Sequence, residues 1–243
     1  MNKKSVLIVI PAYNEAANIG LVLKEIKKDI KNADILVVND CSTDNTASIV
    51  NKANINCITN VFNMRYAWAI QTGIKYARDN NYDYAILMDA DGQHIAKEAK
   101  KLYEAIIATK SNIIIGSRYL KNLGYHCPFF RRIGTKFFSI LVKLLTKRRI
   151  TDPLSGFQCI DKKTINYYAG CGNYPEYPDA NLVIEMLLKG YTITEVPVRM
   201  RMRESGESMH SGIIKPIKYM ITQFYTCIVI FVKYIGKRKA KHE

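Results

Sequence analysis

The sequence predicts an α/β fold, a mostly parallel sheet with helices on both faces, followed by a C-terminal amphipathic, apolar helix. Three observations predict it. Short, almost wholly apolar runs recur at Val6–Ile10, Ile35–Asn39, Tyr84–Asp89 and Asn112–Ser117, and strands without a polar face are buried on both sides, as in parallel sheets. The segments between them place apolar residues at helical spacing. The chain has 243 residues, 48% of them hydrophobic, enough for one α/β domain with a sizeable core and too apolar for a disordered chain.

The elements follow in order. Val6–Ile10 is a buried strand ended by Pro11. Residues 17–31 form an amphipathic helix on Ile19, Val22, Leu23, Ile26 and Ile30. Ile35–Asn39 is the second strand, and Thr43 or Asp44 can cap the helix that runs towards Ala53. Asn54–Thr59 reads as a third strand, Trp68–Arg78 as helix, Tyr84–Asp89 as strand, Lys97–Ala108 as helix and Asn112–Ser117 as strand. After residue 120 the rhythm changes. Residues 129–147 form a basic amphipathic helix, Gly156–Ile160 is strand-like, Asp179–Lys189 is helical and Thr192–Val198 is a strand. A basic loop (199–212) leads to an apolar tail from Ile213 to Ile235. The expected organisation is one main domain over 1–212, split near 120, and a tail over 213–243.

The formal net charge of +15 is uneven. Residues 1–120 carry 15 Lys+Arg against 12 Asp+Glu, whereas 121–243 carry 21 against 9. The second half therefore expects an anionic partner. None of the six cysteines lies in a C-x-x-C pair, so neither a disulfide framework nor a zinc site is expected and a reducing compartment fits. The apolar run near the N-terminus is too short for a signal peptide.

The sharpest chemical signal is D-A-D-G-Q-H, Asp89 to His94, directly after a buried strand. Ligands of open α/β sheets bind at the carboxyl ends of strands. Two carboxylates two residues apart there can share a divalent ion, and oxygen ligands suit Mg²⁺ or Mn²⁺. Such an ion can neutralise a diphosphate leaving group. P-A-Y-N-E (Pro11–Glu15) and N-D-C-S-T-D (Asn39–Asp44) bring further carboxylates to the same edge. Pro11 and Tyr13 can frame a base, and Glu15 and Asp40 can accept from ribose or base. Each motif alone is also an ordinary polar turn; their convergence is less easily structural.

Together these residues resemble the family-2 glycosyltransferases of GT-A (Rossmann-like) fold, especially the polyprenyl-phosphate mannosyl- and glucosyltransferases. The resemblance covers about residues 5–212. It also takes in G-S-R (Gly116–Arg118), D-P-L-S-G-F (Asp152–Phe157), E-V-P-V (Glu195–Val198) and R-x-x-G-x-S (Arg203–Ser208) in order. It implies nucleotide binding by Pro11, Tyr13, Glu15, Asp40 and Asp89, and metal binding by Asp91 with Asp89 and Gln93. The donor implied is a UDP- or GDP-linked sugar, with inversion at the anomeric carbon. The chain departs after Asn63, where the family usually has two glycines and this sequence has Arg65 and Ala67. The stretch Tyr174–Glu185 looks more like bacterial surface-polysaccharide relatives.

Arg118, Arg131 and Arg203 are the arginines best matched to an acceptor phosphate, which a guanidinium binds by a bidentate fork. A polyprenyl phosphate is already anionic at neutral pH and can attack without a base. A sugar hydroxyl on a lipid-linked glycan needs one, and Asp179 and Asp152 are the candidates, with an N-cap as the alternative role for Asp179. The apolar stretch Tyr219–Ile235 is near the lower limit for a bilayer span of roughly 17 residues. It reads as an interfacial or protein-packed helix rather than a span. With the basic helix at 129–147 it suits an anionic membrane surface at the cytoplasmic face; a packed or oligomeric contact is the bland alternative. A nucleotidyltransferase would be expected to carry a glycine-rich loop after the first strand, absent from P-A-Y-N-E. A non-catalytic nucleotide- or nucleic-acid-binding protein would explain the charge, but the acidic loops would repel a polyanion, so no nucleic acid is expected.

Overall fold

The structure, a computed structural model, describes residues 5–125, 129–202 and 214–239. In chain order the elements are β1 (Val6–Ala12), α1 (Ile19–Asp29), β2 (Asp34–Asn39), α2 (Thr46–Lys52), β3 (Asn56–Thr59), α3 (Tyr66–Asp79), β4 (Tyr84–Leu87) and α4 (Ala96–Thr109). They continue with β5 (Ile113–Ser117), α5 (Phe129–Thr146), β6 (Gln158–Asp161), α6 (Lys162–Tyr168), α7 (Ala180–Leu188), β7 (Ile193–Pro197) and α8 (Ile214–Lys239).

The strands form one seven-stranded sheet in the order β3-β2-β1-β4-β6-β5-β7. Its apolar strand residues alternate between two cores. Leu7 and Val9 of β1 join a layer with α3, α6, α7 and part of α5, while Val6, Ile8 and Ile10 join a layer with α1 and α4. The uniformly apolar strands are thus buried from both sides, as their composition requires.

All strand pairs are parallel except those of β6, which runs antiparallel to both β4 and β5. β6 begins where β4 ends, with Gln158 opposite Leu87. The segment before it therefore lies at the carboxyl edge of the sheet, and β6 must run back from that edge. α6, which the sequence reading passed over, follows without a loop. It is a seven-residue helix with no apolar period, started by Asp161, whose side chain accepts from Thr164 N–H.

β1 continues through Pro11 to Ala12, two residues past its expected end. Pro11 pairs only with Val38 of β2, because the register of β1 with β4 stops at Val9. A proline is tolerated there since the side lacking an N–H faces no ladder. The β1–β4 pairing ends at Val9 and Leu87, at the point where the strand order switches direction, the crevice in which open α/β sheets bind ligands.

α8 runs longer than its apolar stretch suggested. Its segment Ile217–Gly236 is long and apolar enough to cross a membrane and is only 11% buried. Ile217, Ile221, Phe224, Tyr225, Val229 and Val232 are exposed along it, and Ile133, Phe137, Ile140 and Leu144 form a second exposed stripe on α5. The two stripes meet where the rings of Phe137 and Phe224 approach to 5.9 Å.

α3 crosses β1 closely at Gly73, where an added Cβ would lie 2.2 Å from Val9 Cγ1. Gly73→Ala should therefore overpack the core and cost about 1–3 kcal/mol, seen as a lower thermal midpoint. Gly20→Ala is the control. Its Cβ would meet Ile49 at 3.6 Å, an ordinary contact, and an alanine in that helix should stabilise by roughly 0.5–1 kcal/mol.

Candidate active site

The loops after β1 and β2 are sewn together by their own polar groups. Asn14, at φ 54°, donates its N–H to Ser42 Oγ and accepts from Thr43 N–H at 2.8 Å. Glu15 N–H donates to Thr46 Oγ1, and Ala16 N–H donates to Asp44 Oδ2. Asp44 Oδ1 also accepts from Thr46 N–H at the head of α2, so it does act on that helix start. These bonds to the charged form help hold the Asp44 pKa low against a counteracting desolvation. The Glu15 carboxylate accepts from Asn18 Nδ2 at 2.7 Å. Tyr13 is exposed above Pro11, which is buried in β1.

Asp40 is 3% exposed. Its Oδ1 accepts from Asn60 Nδ2 at 2.7 Å and from Met64 N–H at 2.9 Å. The residue expected to meet the nucleotide is thereby the anchor of the loop between β3 and α3. That loop ends on Arg65 at φ 71°, ψ 164°, a backbone region essentially confined to glycine. Arg65 stands where the resemblance expects a glycine, and the backbone keeps the glycine conformation. Its guanidinium reaches Glu176 at 2.7 Å.

The D-A-D-G-Q-H loop follows β4. Asp89 Oδ1 accepts from Tyr66 O–H at 2.9 Å. The imidazole of His94 is buried and stacked on Phe157 with ring centroids 4.3 Å apart. Its Nδ1 accepts from Asp89 N–H at 2.9 Å, and its Nε2 lies 3.6 Å from Asp89 Oδ2. His94 therefore shapes the loop from beneath. Asp91 Oδ1 accepts from Gln93 N–H, and Gln93 Nε2 reaches the carbonyl of Arg201 at 3.4 Å. Arg201 itself pairs with Glu25 of α1 at 2.9 Å.

Asp89, Asp91 and Gln93 offer only oxygen donors, which suit a hard divalent cation. Among the described residues no group of three or more His, Cys, Asp or Glu is assembled as a closed metal site. One or two carboxylates that leave the remaining positions to phosphate oxygens are the usual arrangement for Mg²⁺, so the residues present fit such an ion.

Arg118 at the end of β5 is held by Asp152. Its Nε and one terminal nitrogen contact the two carboxylate oxygens at 2.7 and 2.8 Å, and its backbone N–H adds a third bond. Asp152 is fully buried. The loop bearing it is fastened by Glu195 of β7, which accepts from Thr151 N–H, Thr151 O–H and Asp152 N–H at 2.8–2.9 Å. Removing one member of such a buried pair costs roughly 3–5 kcal/mol. Asp152, considered above as a base, thus has both oxygens committed to Arg118. Arg131 lies exposed in the first turns of α5. Arg203 lies outside the described residues.

Asp179 precedes α7, but its side chain makes no cap hydrogen bond. The carboxylate turns to α8 instead, where Tyr219 O–H donates to Oδ2 at 2.6 Å and Gln223 Nε2 at 3.3 Å. Burial pushes its pKa up to about 6, against the opposing pull of the Tyr219 hydrogen bond and the Arg118 charge. Of the carboxylates considered as a base, Asp179 is the one tuned towards neutral pH.

Tyr66, Glu195, Tyr219 and Gln223 were not singled out from the sequence. Tyr66 carries a signal in retrospect, since it opens α3 directly after the glycine-like loop, and Gly156 leaves it room: a Cβ there would meet its hydroxyl at 2.9 Å. Glu195 lies in the E-V-P-V motif without a role that its own neighbours reveal.

Comparisons with known proteins give the family and the fold. The model of "Glycosyl transferase family 2" matches residues 7–162. An uncharacterised protein of Methanocaldococcus jannaschii is 30% identical over 223 residues, 90% of this chain and 91% of that protein. The dolichol-phosphate mannosyltransferase of Pyrococcus furiosus is 32% identical over 218 residues, 85% of this chain and 59% of that enzyme. Among solved structures, a mannosyltransferase from Pyrobaculum calidifontis in complex with GDP-Man and Mn²⁺ superposes with a TM-score of 0.66 at 16% identity, covering 93% of this chain and 65% of that one. The shared fold is GT-A-like.

Two stability tests follow from the geometry. Arg65→Gly should stabilise the fold by about 1–2 kcal/mol, since relief of backbone strain exceeds the loss of an exposed ion pair. Asp179→Asn should also stabilise the chain, by a gain that grows as pH rises from about 4 to about 6 and is full above that. A carboxyl whose folded pKa is raised binds its proton more readily folded than unfolded, so its charge weighs against folding once pH passes from about 4 to about 6. Denaturant titrations at pH 4 and pH 7.5 should show equal stability at the lower pH and a gain for the variant at the higher.

Proposed function

The chain belongs to glycosyl transferase family 2, and on that premise we propose that it transfers a sugar from a nucleoside-diphosphate sugar to a polyprenyl phosphate at the cytoplasmic face of a membrane. The observation that carries the proposal is the crevice between β1 and β4. There Asp89, oriented by Tyr66 and His94, and Asp91 lie at the same sheet edge as the Asp40 and Glu15 loops. The P. furiosus relative, named for dolichol phosphate, supports a polyprenyl phosphate as acceptor.

In this reading Pro11, Tyr13, Glu15, Asp40 and Asp89 bind the nucleotide, which is UDP- or GDP-linked. Asp89, Asp91 and Gln93 would hold Mg²⁺ or Mn²⁺, which when bound supplies charge neutralisation of the leaving diphosphate. Arg118, Arg131 and Arg203 gather the acceptor phosphate. Asp152 fixes the Arg118 fork rather than taking part in proton transfer. The acceptor oxygen attacks the anomeric carbon on the face opposite the diphosphate, and the configuration inverts. The second ionisation of a phosphate monoester has a pKa near 6. The fully ionised acceptor attacks without a base; Asp179 at about 6 would take a proton only from acceptor that binds singly ionised.

The catalytic unit is taken as residues 1–212 and the tail from 213 as its lipid-facing appendage. The exposed apolar stripes of α5 and α8 lie on a half of the chain with excess positive charge, a pairing suited to an anionic leaflet. The raised pKa of Asp179 favours one second reading, in which the acceptor is a glycan hydroxyl and Asp179 is its general base.

A donor screen on purified protein with Mg²⁺ or Mn²⁺ and polyprenyl phosphate, run beside Asp91→Ala, tests this. Metal-dependent transfer to the lipid is expected, lowered at least about 100-fold in the variant. Its kcat should rise with pH through about 6 as Asp179 and the acceptor phosphate ionise, and Asp179→Asn should leave only the acceptor's own limb. Donor hydrolysis without lipid transfer would move the acceptor to a glycan hydroxyl. Failure to bind any nucleotide sugar would overturn the catalytic reading in favour of a non-catalytic member of the fold.

A further inference from the structure

α8 packs on α7, and its inner face is not wholly apolar. Gln223 is fully buried. Its Nε2 donates to the Tyr177 carbonyl at 3.0 Å and to Asp179 Oδ2 at 3.3 Å. Its Oε1 is the one buried side-chain polar atom without a hydrogen-bond partner among the described residues. Turning the amide over would set an oxygen against both the carbonyl and the carboxylate, so the orientation is fixed by chemistry. A buried orphan acceptor costs stability, and an apolar residue would pack there more cheaply. One turn earlier, Tyr219 donates to the same Oδ2 at 2.6 Å, with its ring edge-to-face on Tyr177 at 5.6 Å. Two residues one helical turn apart thus converge on a single carboxylate oxygen of Asp179.

We propose that Tyr219 and Gln223 are positioning residues that fix the Asp179 carboxylate, so that glycosyl transfer requires α8 to be seated on α7. The inference rests on the function proposed above. The outer face of the same helix carries the exposed Ile217, Ile221, Phe224 and Tyr225. The element that would meet the lipid surface is therefore the one that holds the base, and detachment of α8 would release both at once. The other titratable groups around Asp179 are Arg118 at the end of β5, Asp152 in the loop before β6, Tyr174 in the loop before α7, Tyr66 of α3 and Cys227 of α8. None of them changes in the variants that follow.

The full chain, Tyr219→Phe and Gln223→Met are compared with Mn²⁺, a nucleoside-diphosphate sugar, and polyprenyl phosphate in phosphatidylcholine–phosphatidylglycerol vesicles. Donor affinity is read by calorimetry without lipid, and donor hydrolysis supplies the rate if the lipid is not accepted. Both variants should bind the donor like the parent while kcat falls about tenfold or more, the worth of one charge-assisted hydrogen bond. In Tyr219→Phe the acid limb of the kcat profile should also move up by roughly one pH unit, since the lost bond favoured the ionised carboxylate. Using one acceptor throughout cancels its own titration. Gln223→Met should keep or raise the unfolding midpoint while losing turnover, which a merely structural glutamine would not do. Unchanged kcat with an unmoved limb, or a fall in kcat accompanied by a lower midpoint and an unmoved limb, overturns the inference and leaves the proposed function standing. A parent chain that binds no donor overturns the proposed function itself.

Discussion

The cleft depends on one buried ion pair, Arg118 with Asp152. A guanidinium and a carboxylate this deep persist only when every remaining hydrogen-bonding position is met. Glu195 in turn fastens the backbone that carries the pair. That side chain takes three donors from the turn that presents Asp152, and Ser117 and Thr151 share a further hydroxyl contact at 2.7 Å. β5, β7 and the loop before β6 are thereby joined at the carboxyl edge. The antiparallel course of β6 follows from the same demand, since the strand must leave the edge at which its preceding loop is tied.

The two halves of the cleft are built on different physics. The side made by the loops after β1 and β2 is a mesh of short hydrogen bonds, individually modest and mostly open to water, with Asp40 and Asn60 buried among them. The Arg118–Asp152 side is sparse, buried and ionic, and each of its bonds is worth more because little solvent competes. Asp89 belongs to both kinds, taking a phenolic hydrogen bond from Tyr66 while its backbone is gripped by the buried His94. Preorganised groups of this sort need no rearrangement when charge develops on a leaving diphosphate.

Most of the sheet was legible because its strands are apolar on both faces and its helices carry an apolar stripe. Where local pattern and tertiary demand diverged, the reading fell short. Pro11 looked like a strand end, but its ladder side was already open. α6 has no apolar period and depends on the Asp161 cap. Asp152 and Asp179 were equivalent acids on paper. Burial and partners at long sequence separation made one an arginine clamp and the other a carboxyl titrating near 6. The contribution of α8 to Asp179 could not be read at all, since a tyrosine and a glutamine in an apolar helix look like imperfections of a hydrophobic run until the fold brings them to the cleft. Arg65 shows the converse. The sequence reported a missing glycine, and the backbone kept the glycine conformation regardless.

The pairing of β7 with β5 sets Ile193 beside Ile113, contacts far apart along the chain. Closing so long a loop is slow, and distant parallel pairings are among the last to form in a folding chain. The β1–β2 pairing needs far less chain to close. The β1–β4 pairing that frames the crevice, Val6 beside Tyr84, closes nearly as long a loop as β5–β7 does. Both sides of the site are therefore completed late, as the whole sheet closes, and a chain caught partway through folding would hold neither.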